Sequence, residues 1–392
     1  MKGFKAAIVA IVATAFICFV IIFISRFQTT MGLKVIDDGE NIEPETIVKE
    51  EGVFPKDVNY VYAEGRDIFH IKYDIRDSVK VYDLQSNMSE VVLTPINKDY
   101  KICDFFKSGD YYIWEEEMGF CDESEESGVS YMGWAIYFRV GNEIVKVDEY
   151  KYDGSKDKDT LKIFNSNLSA YGSNLVYKSY DSIPGTDGKG LTIKLYDLSS
   201  RRSKIIFSLS DAEDIMVSDP YIYKNYVVWS TYRYSNDNIP IGDIYVYSMK
   251  SNGYTILTRD DGYIGPMIYE NYIACGFYTK KGPSLALINM NTGDKKIITS
   301  SDYSLSPKLE MHDYMIGNGY ITWNDSYAES VDVYDISEDK IYRLKKAENS
   351  SKSSNSLLNV KIYDKMVLFI DHVFNNRNGT SISETNRYFI LK

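Results

Sequence analysis

The residues with the types that chemistry needs are scattered thinly along this chain. Asp153-x-Ser155-x-Asp157-x-Asp159 sets hard oxygen ligands at alternating positions, as a calcium loop does. Lys158 stands where such a loop needs a glycine, and Phe164 where it needs a bidentate glutamate, so the stretch reads as a solvated loop. His70, His312 and His372 each fall in or beside a strand-like run, where a lone imidazole is a packed side chain more often than a ligand. Cys103 and Cys121 would need Cα atoms within about 7 Å to form a disulfide. A turn near Ser108-Gly109 sets Cys103 opposite about Trp114 instead. With Cys18 and Cys275 in apolar runs, the cysteines form neither a disulfide framework nor a zinc pattern. No Gly-x-Ser-x-Gly elbow is present. A glycosidase needs only two carboxylates at the right separation, and a chain with 56 Asp and Glu can supply them. The sequence therefore leans against an enzyme without excluding one, and it implies no cofactor and no metal.

Charge narrows the partners. The formal net charge is −12, which repels nucleic-acid phosphates and anionic head groups. Arg201-Arg202-Ser203-Lys204 is the densest basic run and reads as a turn. Nucleic acid is disfavoured; a cationic or neutral partner is favoured.

The elements that must hold these residues come from a repeat. Tyr226-Val227-Val228-Trp229 recurs as tetrads beginning at Asp67, Tyr111, Asn174, Tyr272, Tyr320 and Met366. Each is β-branched or aromatic, which suits a pleated, half-buried surface. A second run follows each tetrad, such as Ile244–Met249, then a turn such as Ser251-Asn252-Gly253, then a third run such as Tyr254–Thr258. Gly and Asn supply the positive φ that tight hairpins need. One short segment, such as Asp219–Tyr223, precedes the tetrad. Each unit is thus four antiparallel strands, A to D, repeating at roughly 50 residues, the range of propeller blades. The expected fold is all-β: a β-propeller of seven four-stranded blades, with six or eight the alternatives. The last unit stops at its third strand, and Glu45–Lys49 has the character to supply the fourth. The N- and C-terminal strands would then close the ring and leave no raw edge.

Asp243-Ile244-Tyr245-Val246-Tyr247, a Gly-containing turn and Ile256-Leu257-Thr258 resemble the TolB-like propeller repeat, shared with the propeller of dipeptidyl-peptidase IV relatives. The likeness is best over 226–258, fair over 320–345 and loose elsewhere from about residue 44 onward. It implies a propeller used for binding and carries over no catalytic residue; no α/β segment follows the propeller, so those peptidases' catalytic domain is missing. Signatures of WD repeats and of sialidase Asp-boxes are absent.

Ahead of the repeat, Met1–Lys5 is a short basic stub carrying Lys2 and Lys5, and Ala6–Ser25 is almost unbroken apolar sequence. About 20 such residues cross a bilayer as a helix. Ser25-Arg26-Phe27-Gln28 offers a poor cleavage site, so an uncleaved transmembrane signal anchor is preferred to a cleaved signal. The basic stub places the propeller outside the cytoplasm of a bacterial cell. The expected organisation is a cytoplasmic stub at 1–5, the anchor at 6–25, a stalk at 26–43 and the propeller at 44–392.

Strand order sorts the loops. A–B and C–D turns share one face and are short; B–C and D–A connections share the other and include 118–133, 182–190, 233–241 and 372–384. Binding residues gather on loops held by a rigid scaffold. The candidates on the loop-rich face are Asp122, Glu123, Glu125, Glu126, Asn236, Asp237, Asn375, Asn376 and Arg377. The bland alternative is a solvated, drifting surface. The expected function is a membrane-anchored extracytoplasmic scaffold or sensor for a protein or envelope ligand. The alternative is a carbohydrate-binding or carbohydrate-hydrolysing propeller, for which some of the 35 tyrosines would form the sugar platform.

Overall fold

Every tetrad becomes the second strand of a blade. In the computed structural model of the chain, Asp67–Ile71, Tyr111–Phe120, Asn174–Ser182, Tyr226–Tyr234, Tyr272–Thr279, Tyr320–Asn324 and Met366–Asn375 each lie between an A and a C strand in one of seven sheets. The residues described are 34–36, 47–72, 76–120, 130–151, 167–183, 188–210, 215–237, 239–279, 282–298, 314–324, 330–348, 350, 352–376 and 379–392. The ring has seven blades, as the repeat requires.

Alternation in the tetrads explains the packing. Val227 and Trp229 point to one side of their blade and Val228 to the other, and all three are fully buried. Trp229 joins the core shared with blade three, while Val228 joins the core shared with blade five. A blade has no core of its own. Seven apolar clusters lie one at each blade junction, including the junction of blade seven with blade one.

The A–B turns are uniform. Gly65, Gly109, Gly172, Lys224, Glu270, Asn318 and Asp364 open them, each with φ between 46° and 61°. That geometry makes a two-residue turn whose twist matches the flanking strands. Lys224 and Glu270 adopt it without a glycine, and their side chains pair across adjacent turns at 2.6 Å.

The closure strand is Val48–Phe54, hydrogen-bonded to Ser381–Leu391 as the outermost strand of blade seven. The N-terminal strand expected at 45–49 is thus present but displaced along the chain. Two sheets hold an extra strand. Strand A of blade four is split into Met216–Val217 and Tyr221–Tyr223. In the segment read as stalk, Lys34–Ile36 pairs in parallel with Lys295–Ile298 on the outer edge of blade five.

Among the described residues, no helix is long and apolar enough to cross a membrane. The expected anchor, 6–25, and stub, 1–5, lie outside the described residues, as do Cys18, Cys121, His312 and the Asp153–Asp159 pattern. Cys103 is a free thiol in a bulge, its Sγ 3.5 Å from the Glu115 carbonyl rather than opposite Trp114; Phe105 pairs with Trp114.

Candidate functional site

The loop-rich face is smaller than the sequence suggests, because the B and C strands run on into it. Strand continues to Phe120 and resumes at Ser130; in blade seven it continues to Asn375 and resumes at Ser381. Arg233 and His372 are strand residues, not loop residues. Asn236 and Asp237 sit exposed in a turn that Ser235 closes, its N–H donating to the Ile239 carbonyl at 2.9 Å. Asn375 ends its strand, and its N–H donates to the Thr380 carbonyl at 2.9 Å. Asn376 is committed to its own blade: Nδ2 donates to the Ser350 carbonyl at 2.8 Å, and Oδ1 accepts from Ser354 Oγ at 2.7 Å. Asp122, Glu123, Glu125, Glu126 and Arg377 lie outside the described residues. The placed candidates therefore share a face but not a site: one pair belongs to blade four and the other to blade seven.

The structure brings a different set together, around the axis. The A strands line a central channel. At its tight-turn end the neighbours join one by one. Tyr171 packs on Tyr223 at 4.8 Å between ring centres, and Tyr223 on Tyr269 at 4.9 Å. Tyr269 Oη donates to Asn318 Oδ1 at 3.1 Å. Tyr363 Oη donates to the Val61 carbonyl at 2.6 Å, and its ring lies 5.1 Å from Tyr62. Tyr62 lies 6.2 Å from Phe106, and Ser108 Oγ donates to the Gly172 carbonyl at 3.0 Å. These contacts tie six of the seven junctions side by side.

Deeper in the channel the groups are polar. Burial raises the phenol pKa of Tyr62 and Tyr363 and pushes Tyr221 up to about 12, so all three stay protonated donors. Burial also pushes the Asp104 carboxyl up to about 7; its Oδ1 accepts the Phe105 N–H at 2.8 Å, Lys361 pulls the other way, and Asp219 adds to the rise. Beyond burial, Tyr363 feels Asp104 and Tyr221. These residues belong to blades two, four and seven, which approach one another only across the axis. Asp219 is thrown inward by the break in strand A of blade four, and it accepts from Lys178 Nζ and Asn167 Nδ2, both at 2.6 Å.

Among the described residues the channel thus presents phenol donors, the Asp104 carboxyl poised near neutrality and the Asp219–Lys178 ion pair. That set can hold a hydroxylated or peptide-like ligand by hydrogen bonds. Among the described residues, no group of three or more His, Cys, Asp or Glu could hold a metal. His70 is buried with no partner for either ring nitrogen, and burial pulls its pKa down to about 4. It is a neutral core residue at the fourth tetrad position, where other blades carry Trp, Tyr, Phe or Cys. A signal for the channel does exist in the sequence: tyrosine stands three residues before the tetrad at Tyr171, Tyr223, Tyr269 and Tyr363.

No family model matches the chain. Protein 3 of Bat coronavirus HKU3 is 30% identical over 109 residues, which is 28% of this chain and 39% of that protein. Among solved structures, a prolyl endopeptidase aligns over 86% of this chain with a TM-score of 0.50 at 11% identity. This chain spans about half of that enzyme's length, 49%. The β-propeller domain of the Trilobed protease from Pyrococcus furiosus aligns over 83% of this chain and 96% of its own, at TM-score 0.49 and 10% identity. TolB from Acinetobacter baumannii aligns over 80% of this chain and 75% of its own, at TM-score 0.38 and 11% identity. At such identities the likeness is one of fold. At that level the expected resemblance to peptidases of this fold holds in the prolyl endopeptidase.

Proposed function

We propose that this chain is a membrane-anchored, extracytoplasmic β-propeller that serves as a binding scaffold or sensor for a protein or envelope ligand. The observation that carries this reading is the inequality of the two faces. One is built from seven near-identical turns and is knitted around the axis by tyrosines. The other receives every B–C and D–A connection, and recognition concentrates on such loops. The apolar run at 6–25 and the basic stub before it supply the address.

The test is capture from the envelope fraction of the source cell by residues 44–392, followed by mass spectrometry. One enriched protein is expected. Trimming 121–129 or 376–380 spares the flanking strands, so folding should survive while capture falls at least about tenfold. Capture that survives both trims would sink the face assignment. The tyrosines at the channel mouth favour a second reading, in which the ligand is a glycan laid on aromatic rings. Retention of polysaccharide without protein would select it.

A further inference from the structure

The junction of blades one and two departs from the repeat at three positions, and all three line one groove. The first tetrad residue packs into a blade junction as Tyr111, Tyr226, Tyr272, Tyr320 and Met366, and in blade three it is Asn174. In blade one it is Asp67. The second tetrad residue is Ile68, Leu175, Val227, Ile273, Ile321 or Val367; in blade two it is Tyr112. Its partner on strand C is Tyr82, Tyr196, Tyr247, Ile288, Tyr334 or Phe389; in blade two it is Arg139. Where five other junctions are filled by an aromatic or thioether side chain, this one keeps an open groove of about 300 Å³.

Its walls carry opposite charge. Asp67 and Glu90 belong to blade one, Lys107 and Arg139 to blade two. The Arg139 guanidinium is fixed: it lies 4.6 Å over the Tyr112 ring, and Nη1 donates to the Val92 carbonyl at 2.9 Å. Among the described residues that is its only hydrogen bond, so the rest of a planar donor fork stays available for a carboxylate. Lys107 is already paired with Glu64. Across the groove the Asp67 carboxylate accepts no side-chain hydrogen bond among the described residues; burial and then Asp83 raise it above the usual carboxylate range, with Lys107 pulling the other way. An arriving ammonium would relieve both. Between the charged walls Phe69 is buried in the junction core, so the groove exposes mainly polar surface. Because Arg139 covers the Tyr112 face, a sugar ring has no platform here.

We infer that this groove binds a small zwitterion, a free α-amino acid with a short polar side chain, whose carboxylate meets Arg139 and whose ammonium meets Asp67. The site lies at the tight-turn end of the junction, away from the loop-rich face, and does not depend on what that face binds. The volume suits so small a ligand, being at the lower limit of ligand pockets.

The probe is L-serine, titrated calorimetrically into the full-length chain, with serinamide and 3-hydroxypropanoate as analogues lacking the carboxylate charge and the ammonium. Serine is expected to bind, and each analogue at least about tenfold more weakly, since each loses one charge-assisted contact. Asp67→Tyr and Arg139→Tyr install residues that the same positions carry in other blades. Both should keep the fold by circular dichroism and lose serine binding by at least about tenfold. One variant that folds suffices. No heat from serine at millimolar concentration, equal binding of either analogue, or unchanged binding in a folded variant overturns the assignment.

Discussion

Asp104 shows how much one residue's surroundings can set its chemistry. The register of strand A in blade two slips between Ile102 and Asp104, and the bulge aims the carboxylate at the channel. Burial then raises its pKa to about 7. The folded value lies above the unfolded one, so the group contributes stability that is fully present below the unfolded value and is lost as pH rises from about 4 through 7. Roughly three units at 1.36 kcal/mol each bound the loss near 4 kcal/mol. Asp104→Asn keeps the shape and removes the charge. Its melting temperature should match the parent near pH 4 and exceed it increasingly up to pH 8. An advantage that does not grow with pH would mean that the carboxylate ionises freely and is no channel group. The slip also explains why Asp104 escapes a reading of the sequence, since a bulge is invisible to an alternation count.

Among elements, the closure strand does the most with the least sequence signal. Val48–Phe54 reads VKEEGVF, with exposed Lys49 and Glu51 among its residues, because the outermost strand of a blade faces solvent. Its apolar weight sits at its ends: Ile47 enters the core between blades six and seven, Phe54 that between seven and one. Tyr388 Oη donates to Glu50 at 3.0 Å, and Arg66 reaches the same carboxylate at 2.5 Å. A chain starting at residue 55 would forfeit the burial of Ile47 and Phe54, about 3–6 kcal/mol, and bare the edge of Ser381–Leu391. Compared with 44–392, it should melt much earlier and self-associate in size-exclusion chromatography. A monomer with unchanged melting would show the closure to be ornamental. The tetrads were legible for the opposite reason: they lie second from the axis, buried on both faces, so their residue types are dictated. The long B and C strands were misread as loops because they run beyond the core. There Tyr234 and Asn375 carry no apolar pattern. The tyrosines of the channel mouth were visible by spacing, but nothing in a tyrosine's spacing distinguishes rim packing from a lined channel.

At the scale of the whole molecule, stability is shared by seven apolar junctions, and the ring is closed by a non-covalent seam within blade seven. That seam separates the closure strand from blade seven's third strand. The ends meet there: the Lys392 N–H donates to the Ile47 carbonyl at 2.9 Å, and Lys365 Nζ reaches the Lys392 carbonyl at 2.6 Å. Moving residues 47–56 behind Lys392 through a short turn would make blade seven continuous and shift the seam to its junction with blade one. That junction keeps its apolar cluster and the Asn386 side chain, whose Nδ2 faces the Val58 carbonyl at 3.2 Å. Because chain ends that lie together permit permutation, the permutant should fold to a monomer with the parent's circular dichroism spectrum. Its melting point should be lower by some degrees, since side-chain contacts now seal what a hydrogen-bonded ladder sealed before. Failure to fold while 44–392 folds would mean that blade one must be tethered to the closure strand before the ring can form, and that the chain order, not the junctions alone, specifies the propeller.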